Sequence, residues 1–360
     1  MVLNLTDWER ALLSVYTTYC RGGNGAGLEK ILPSNQTKFY GFGRQALAEG
    51  LRRIGVRPGD RVLLPGFVCH EVLASLAVLG VTPRFYAVDE MLSTDAQSLE
   101  RMDPNGVRAV IVVNYFGFPQ PLDRILEWCK AYRAVLIEDN AHGFLSRESN
   151  VPLGQRGDMG IFSLRKTLSL PNGAALVDNR PGQVEQGGLT FKGSPLASVA
   201  RYRLKNGLKR LMSLGRLHTA RSILGAIRMI RSASTGDAIP ISPPNAETEV
   251  PQEAFAWLTT RLLGRCNIEV ESERRRSLYK WCNEVFAATP GVRPIFPSLP
   301  DGVVPQGFPF FYTGNDYRVL KRVWWSQGVQ IVTWPERLPA ALAPCAPEHY
   351  GRVMLIPFLW

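Results

Sequence analysis

Two apolar runs, each breaking into polar residues at its end, leave few folds open to this chain. Ala134-Val135-Leu136-Ile137 leads into Glu138-Asp139-Asn140-Ala141-His142-Gly143, and Met159-Gly160-Ile161-Phe162 leads into Ser163-Leu164-Arg165-Lys166. In an open α/β sheet, ligands bind beyond the carboxyl ends of the strands. Two such ends place an acid, a histidine, a hydroxyl and a lysine around one crevice.

The same texture extends from about residue 40 to 180. Strand-like runs over 61–64, 82–88, 109–114, 134–137, 159–163 and 174–177 alternate with segments at helical spacing over 45–54, 71–79 and 122–132. Arg57-Pro58-Gly59-Asp60 and Gly80 punctuate helix ends ahead of strands. Strand and helix in alternation imply a mostly parallel sheet with helices on both faces. The expected class is therefore α/β, with a large domain over 1–250 and a smaller α+β domain over 251–360.

Beyond Asp178 the pattern changes. Residues 179–193 read as a loop, 234–251 as a Pro- and Gly-containing linker, 252–286 as one or two helices, and 316–327 as a helix. Glu271-Ser272-Glu273-Arg274-Arg275-Arg276 is expected on a solvated helix face. Net charge is +11, yet nine Lys or Arg and no acidic residue lie between Arg201 and Arg231. The basic balance is thus local, and nucleic-acid binding by the whole chain is not expected. Three readings of 198–232 stand open: a solvated helical hairpin, an attractor for an acidic substrate, or a contact with an anionic membrane surface.

The six cysteines are scattered, away from the four histidines, which argues against a zinc site and a disulfide framework. The N-terminus lacks a secretory pattern, and no run of about 20 apolar residues could span a bilayer. A cytoplasmic setting is expected.

An acid for a pyridinium nitrogen and a lysine for a Schiff base suit pyridoxal 5′-phosphate (PLP). Five motifs in order then resemble the DegT/StrS-type aminotransferases, fold-type I PLP enzymes. They are Gly43-Arg44-Gln45-Ala46-Leu47, Pro58-Gly59-Asp60 through Pro65, Gly117-x-Pro119-x-x-x-Asp123, Glu138-Asp139-Asn140-Ala141-His142, and Gly157-Asp158 ahead of Phe162-Ser163.

The resemblance implies a homodimer that moves an amino group from an amino acid donor to a nucleotide-linked keto-sugar. It implies that Asp139 sits against the ring nitrogen, His142 near the ring oxygen, and Lys166 on the cofactor aldehyde. A lysine attacks through its neutral amine, which scarce water and cations such as Arg165 favour. The phosphate is expected on the helix start at Gly43, Arg44 and Gln45, with Ser163 adding a hydroxyl. Cys69 aligns with the family's stacking aromatic, His70 stands one residue on, and Asn114 ends the central strand. No metal ligand set is expected. Trp324, Trp325 and Trp334 are expected mainly in the core.

Two departures stand out. Lys166 follows Ser163 by three residues where the family has five, and Asn172-Gly173-Ala174 replaces a glycine-rich turn. Other chemistry on the same fold stays open, although Lys166 argues against the dehydratase route, as does a non-catalytic binding or assembly descendant.

Overall fold

A computed structural model describes residues 25, 27–182, 188–213, 248–286, 288–314, 316–326, 329–335 and 346–359. After a single helical turn at Leu28–Ile31, the chain forms β1 (Thr37–Tyr40) and α1 (Gly43–Arg53). There follow β2 (Arg61–Pro65), α2 (Leu73–Ala77), β3 (Thr82–Tyr86), α3 (Ala96–Glu100), β4 (Val107–Val113) and α4 (Asp123–Tyr132). Next come β5 (Val135–Asp139), β6 (Met159–Phe162), the single turn α5 (Leu164–Thr167) and β7 (Ala174–Asp178).

These seven strands make one sheet in the order β1-β7-β6-β5-β4-β2-β3. Every pair from β6 to β3 is parallel. Parallel strands covered on both faces need nearly continuous apolar sequence. Val110, Ile111 and Val112 of β4 and Leu63 and Leu64 of β2 are accordingly inaccessible.

Register decides where the functional side chains emerge. Val113 pairs with Asp139, and Asp139 pairs with Ile161, so β4, β5 and β6 end almost level. β7 runs antiparallel to β6, with Ala175 opposite Phe162, and returns the chain from that same edge. β1 is antiparallel to β7, with Tyr40 opposite Ala174, so β1 also ends there and feeds α1. The pairing thus carries the start of α1 and the ends of β5 and β6 to one edge.

α1 begins with the Phe42 N–H donating to the Gln45 side-chain oxygen at 3.1 Å. Its Ala46, Leu47, Ala48 and Leu51 are buried, which holds the helix against the sheet.

After α6 (Leu196–Ser213) come α7 (Trp257–Leu263) and α8 (Ile268–Phe286), so the 252–286 stretch is two helices. A second, antiparallel sheet has the order β8-β9-β11-β10, formed by Val292–Pro294, Gly307–Tyr312, Val353–Pro357 and Val332–Thr333. The helix α9 (Tyr317–Ser326) lies between β9 and β10 in sequence. Phe308 packs against Tyr279 and Phe286 of α8, with ring centroids 5.2 and 6.2 Å apart.

One expectation is overturned here. Glu271, Arg274 and Arg275 are buried, not solvated. The i, i+3, i+4 spacing lets one carboxylate satisfy two guanidinium groups inside the protein. The linker expected over 234–251 falls mostly outside the described residues, as do 214–232 of the basic stretch.

Gly160 allows β6 to pass the turn at Gly154. A Cβ at residue 160 would stand 2.2 Å from the Gly154 carbonyl oxygen, which is rigid backbone. Gly160→Ala should destabilise the protein by about 2 kcal/mol or more through overpacking, measured by urea unfolding. An unchanged midpoint would contradict this close approach.

Candidate active site

A hollow opens at the edge where β5 and β6 end, with about 720 Å³ of empty space including its open mouth. Asp139, His142, Ser163, Arg165, Lys166, Gly43, Arg44, Cys69 and Trp334 all line it.

Asp139 takes an N–H bond from Ala141 at 3.0 Å. Burial raises its carboxyl above the ordinary value, and the nearby Lys166 charge opposes that rise. An acid in this setting is ready to pair with a cation brought in by a ligand.

Lys166 Nζ stands 3.3 Å from His142 Nε2. The imidazole stacks on Phe116 at 5.5 Å and meets the edge of Trp334 at 5.0 Å. The Phe116 N–H donates to His142 Nδ1 at 3.4 Å, which turns Nε2 toward Lys166. Burial, reinforced by the Lys166 charge, pushes the His142 pKa well below its ordinary value.

The shortened lysine turn reaches the hollow as one turn of helix. The Leu164 N–H donates to the Gly173 carbonyl at 3.0 Å and the Lys166 N–H to Ser163 at 3.1 Å. A four-residue helix has little stability alone. The buried Arg275 of α8 caps its last carbonyl, Thr167 O, while donating to Pro305 and Gln306 carbonyls at 3.1 and 3.0 Å. Glu271 holds Arg275 in place at 2.7 Å.

Asn172 explains the second departure. It is inaccessible, and its amide donates to Glu253 at 2.8 Å and to the Ala254 carbonyl at 2.9 Å. Its oxygen accepts the Ala256 N–H at 3.0 Å. The residue therefore staples the lysine turn to segment 253–256.

At the start of α1, Gly43 and Arg44 present first-turn N–H groups, which a helix cannot satisfy internally. Arg44 pairs with Glu71 at 3.7 Å. Arg165 lies over the Phe42 ring at 5.6 Å. Burial lowers the Arg165 pKa, Glu71 counters this, and the like charges of Arg44 and Arg201 lower it further. Cations concentrated beside a helix start and the Ser163 hydroxyl suit an anion such as a phosphate ester. The donor set thus fits PLP: a carboxylate at one end, cations and N–H groups at the other, a lysine between.

Three expected residues are not among those that line the hollow. The Gln45 N–H is already bonded to the Phe42 carbonyl at 3.0 Å, and its side chain donates to Pro251 and Glu253 carbonyls at 2.6 and 2.9 Å. His70 is buried. Asn114 is shut into a network under the site. Its amide donates to Glu138 at 3.0 Å, and its oxygen accepts from Gln120 and Arg156 at 3.1 and 2.9 Å.

Cys69 lines the hollow as the alignment places it, but burial pushes its thiol up to about 11, so it is a poor nucleophile. Trp334 is a lining residue that the sequence weighed too lightly. Its sequence signal is the run Val332-Thr333-Trp334-Pro335, which faintly resembles the C-terminal pattern of the same family. Trp324 is a core residue against Phe286, with ring centroids 4.1 Å apart, and the Trp325 side chain lies outside the described residues.

Residues 41–193 match the model of the DegT/DnrJ/EryC1/StrS aminotransferase family. GDP-perosamine synthase of Escherichia coli O157:H7 is 29% identical over 163 residues, 44% of each chain. L-glutamine:scyllo-inosose aminotransferase of Streptomyces griseus is 30% identical over 182 residues, covering 48% of this chain and 38% of that protein. The chain therefore aligns with less than half the length of these curated relatives. Helicobacter pylori PseC, an aminotransferase involved in the biosynthesis of pseudoaminic acid, superposes with a TM-score of 0.63 at 15% identity. That superposition covers 99% of this chain and 91% of PseC, and it establishes the fold.

Two outcomes test this geometry. Arg275→Met leaves Glu271 and three carbonyl groups short of a buried partner, and should cost about 3 kcal/mol in urea unfolding. The second concerns pH. His142 has a depressed folded pKa, so its contribution is complete above the unfolded value of about 6.5 and declines as pH falls below it. The decline should approach about 1.4 kcal/mol per pH unit, and His142→Asn should remove that share of the acid-side slope.

Proposed function

We propose, from the premise that residues 41–193 belong to the DegT/DnrJ/EryC1/StrS aminotransferase family, that this chain is a PLP-dependent aminotransferase. One observation carries the reading: Lys166, Asp139 and the start of α1 face one hollow of ligand size. Bound PLP would supply a carbonyl carbon for amine exchange and a ring that accepts electrons from a substrate carbanion.

The chain's own residues divide the remaining work. Asp139 would pair with the protonated ring nitrogen and keep the proton there. Gly43 and Arg44 N–H groups, the Ser163 hydroxyl and the Arg165 guanidinium would hold the phosphate. Lys166 Nζ would hold the aldehyde at rest and, once displaced, carry a proton to and from the substrate carbon. His142, wedged between Phe116 and Trp334, would orient the ring oxygen and keep water from that side.

The similarity to GDP-perosamine synthase supports a nucleotide-linked keto-sugar as acceptor, and that to L-glutamine:scyllo-inosose aminotransferase supports an amino acid as donor. Arg44 and Arg165 at the hollow favour ligands carrying phosphate or carboxylate. A homodimer that completes the site with its second copy is part of the same proposal, and so is a division near residue 250 into a large and a smaller domain.

Protein mixed with PLP should gain a visible absorption band, and borohydride should fix the cofactor on Lys166 in peptide mapping. Lys166→Ala should show neither. Asp139→Asn should remain folded and lose about 100-fold or more in amino transfer. Arg165→Met should retain PLP about tenfold less tightly, the scale of one lost charge-assisted hydrogen bond. A band that persists without Lys166, or none in the unaltered protein, would refute the assignment.

A further inference from the structure

The proposed chemistry leaves the basic stretch unused, and the structure describes its first helix. α6 packs inward through Ser198 and Val199, which are buried, with Tyr202 and Asn206 half-buried further along. At 3.6 residues per turn these four residues share one face. Leu196, Ala200 and Leu204 fall on the opposite face, and the two leucines are each 68% accessible. Arg201 and Lys205 border this apolar stripe on one side and Arg203 on the other, all exposed. No Asp or Glu occurs from 196 to 231.

We propose that this face of α6 lies on an anionic lipid surface. A helix with an apolar stripe rimmed by Lys and Arg settles in the plane of a membrane interface, its leucines among the acyl chains and its cations at the headgroups. Charge selects this occupant over a second copy of the chain. A two-fold contact through the stripe would set like cationic rims against each other. Nucleic acid would engage the cations but leave the leucines in water. The sequence repeats the spacing at Leu208 and Leu211 and adds six more Lys or Arg through Arg231. Among the described residues no helix is long and apolar enough to cross a membrane. This inference stands independently of the PLP reading.

Co-sedimentation of the full chain with lipid vesicles tests it. Vesicles of phosphatidylcholine containing roughly 30% phosphatidylglycerol should bind about tenfold or more tightly than pure phosphatidylcholine, and high salt should release the protein. Leu196→Gln with Leu204→Gln should weaken binding to the anionic vesicles by about tenfold. Arg203→Glu should weaken binding to the anionic vesicles and leave the small affinity for neutral ones unchanged.

Thermal melts matching the parent confirm that these surface variants are folded. Four results would overturn the proposal: no vesicle binding, equal binding to neutral and anionic lipid, parent-like binding by both variants, or tighter binding to a poly(dT) oligonucleotide than to vesicles. Loss of self-association in the leucine variant, with lipid binding intact, would reassign the face to a second copy.

Discussion

Asp139 is a half-buried carboxylate at the wall of the hollow, and the surrounding structure depends on keeping it there. Burial alone favours its neutral form, while the Lys166 charge works in the other direction. The parallel register sets Asp139 beside Ile161, so the strand that presents the acid also aligns the strand leading to the lysine. Directly behind, Glu138 is shut in completely and accepts bonds from Asn114 and Arg156 and from the Gly157 N–H. That network fixes the end of β5 from within, as buried polar groups must be satisfied to be tolerated.

The parallel core was readable because buried parallel strands demand long β-branched runs, and 107–113 and 135–137 supply them. Asp139, His142, Ser163 and Lys166 were readable as a group because they follow such runs directly. Sequence alone could not distinguish a side chain pointing into the hollow from its neighbour pointing behind it. Asn114 ends β4 as expected, yet its amide serves the layer under the site. Gln45 opens α1 as expected, yet its N–H is spent on Phe42. His70 and Cys69 are adjacent, and only Cys69 lines the hollow.

The charged run 271–276 was the most misleading segment. Its composition matches a solvated helix face, and Arg276 does reach outward to Asp301 at 3.6 Å. Glu271, Arg274 and Arg275 instead form a buried cluster that serves carbonyl groups from three separate segments, Thr167, Pro305–Gln306 and Phe358. Nothing in the local pattern distinguishes these uses, because the partners lie up to 108 residues away in sequence.

The departures from the family pattern near Lys166 make sense once those distant partners are included. The turn that carries Lys166 is held by bonds that reach beyond it. Here the N-terminal side of the turn is tied to Gly173, the Asn172 side chain ties the following strand to 253–256, and Arg275 closes the helical end. Each tie runs to an element that the first 180 residues do not contain, except the one to Gly173. Within residues 41–193, which match the family model, the segment carrying Lys166 is therefore held by residues outside that range. A substitution in α8 can then alter the reach of Lys166 without touching the hollow.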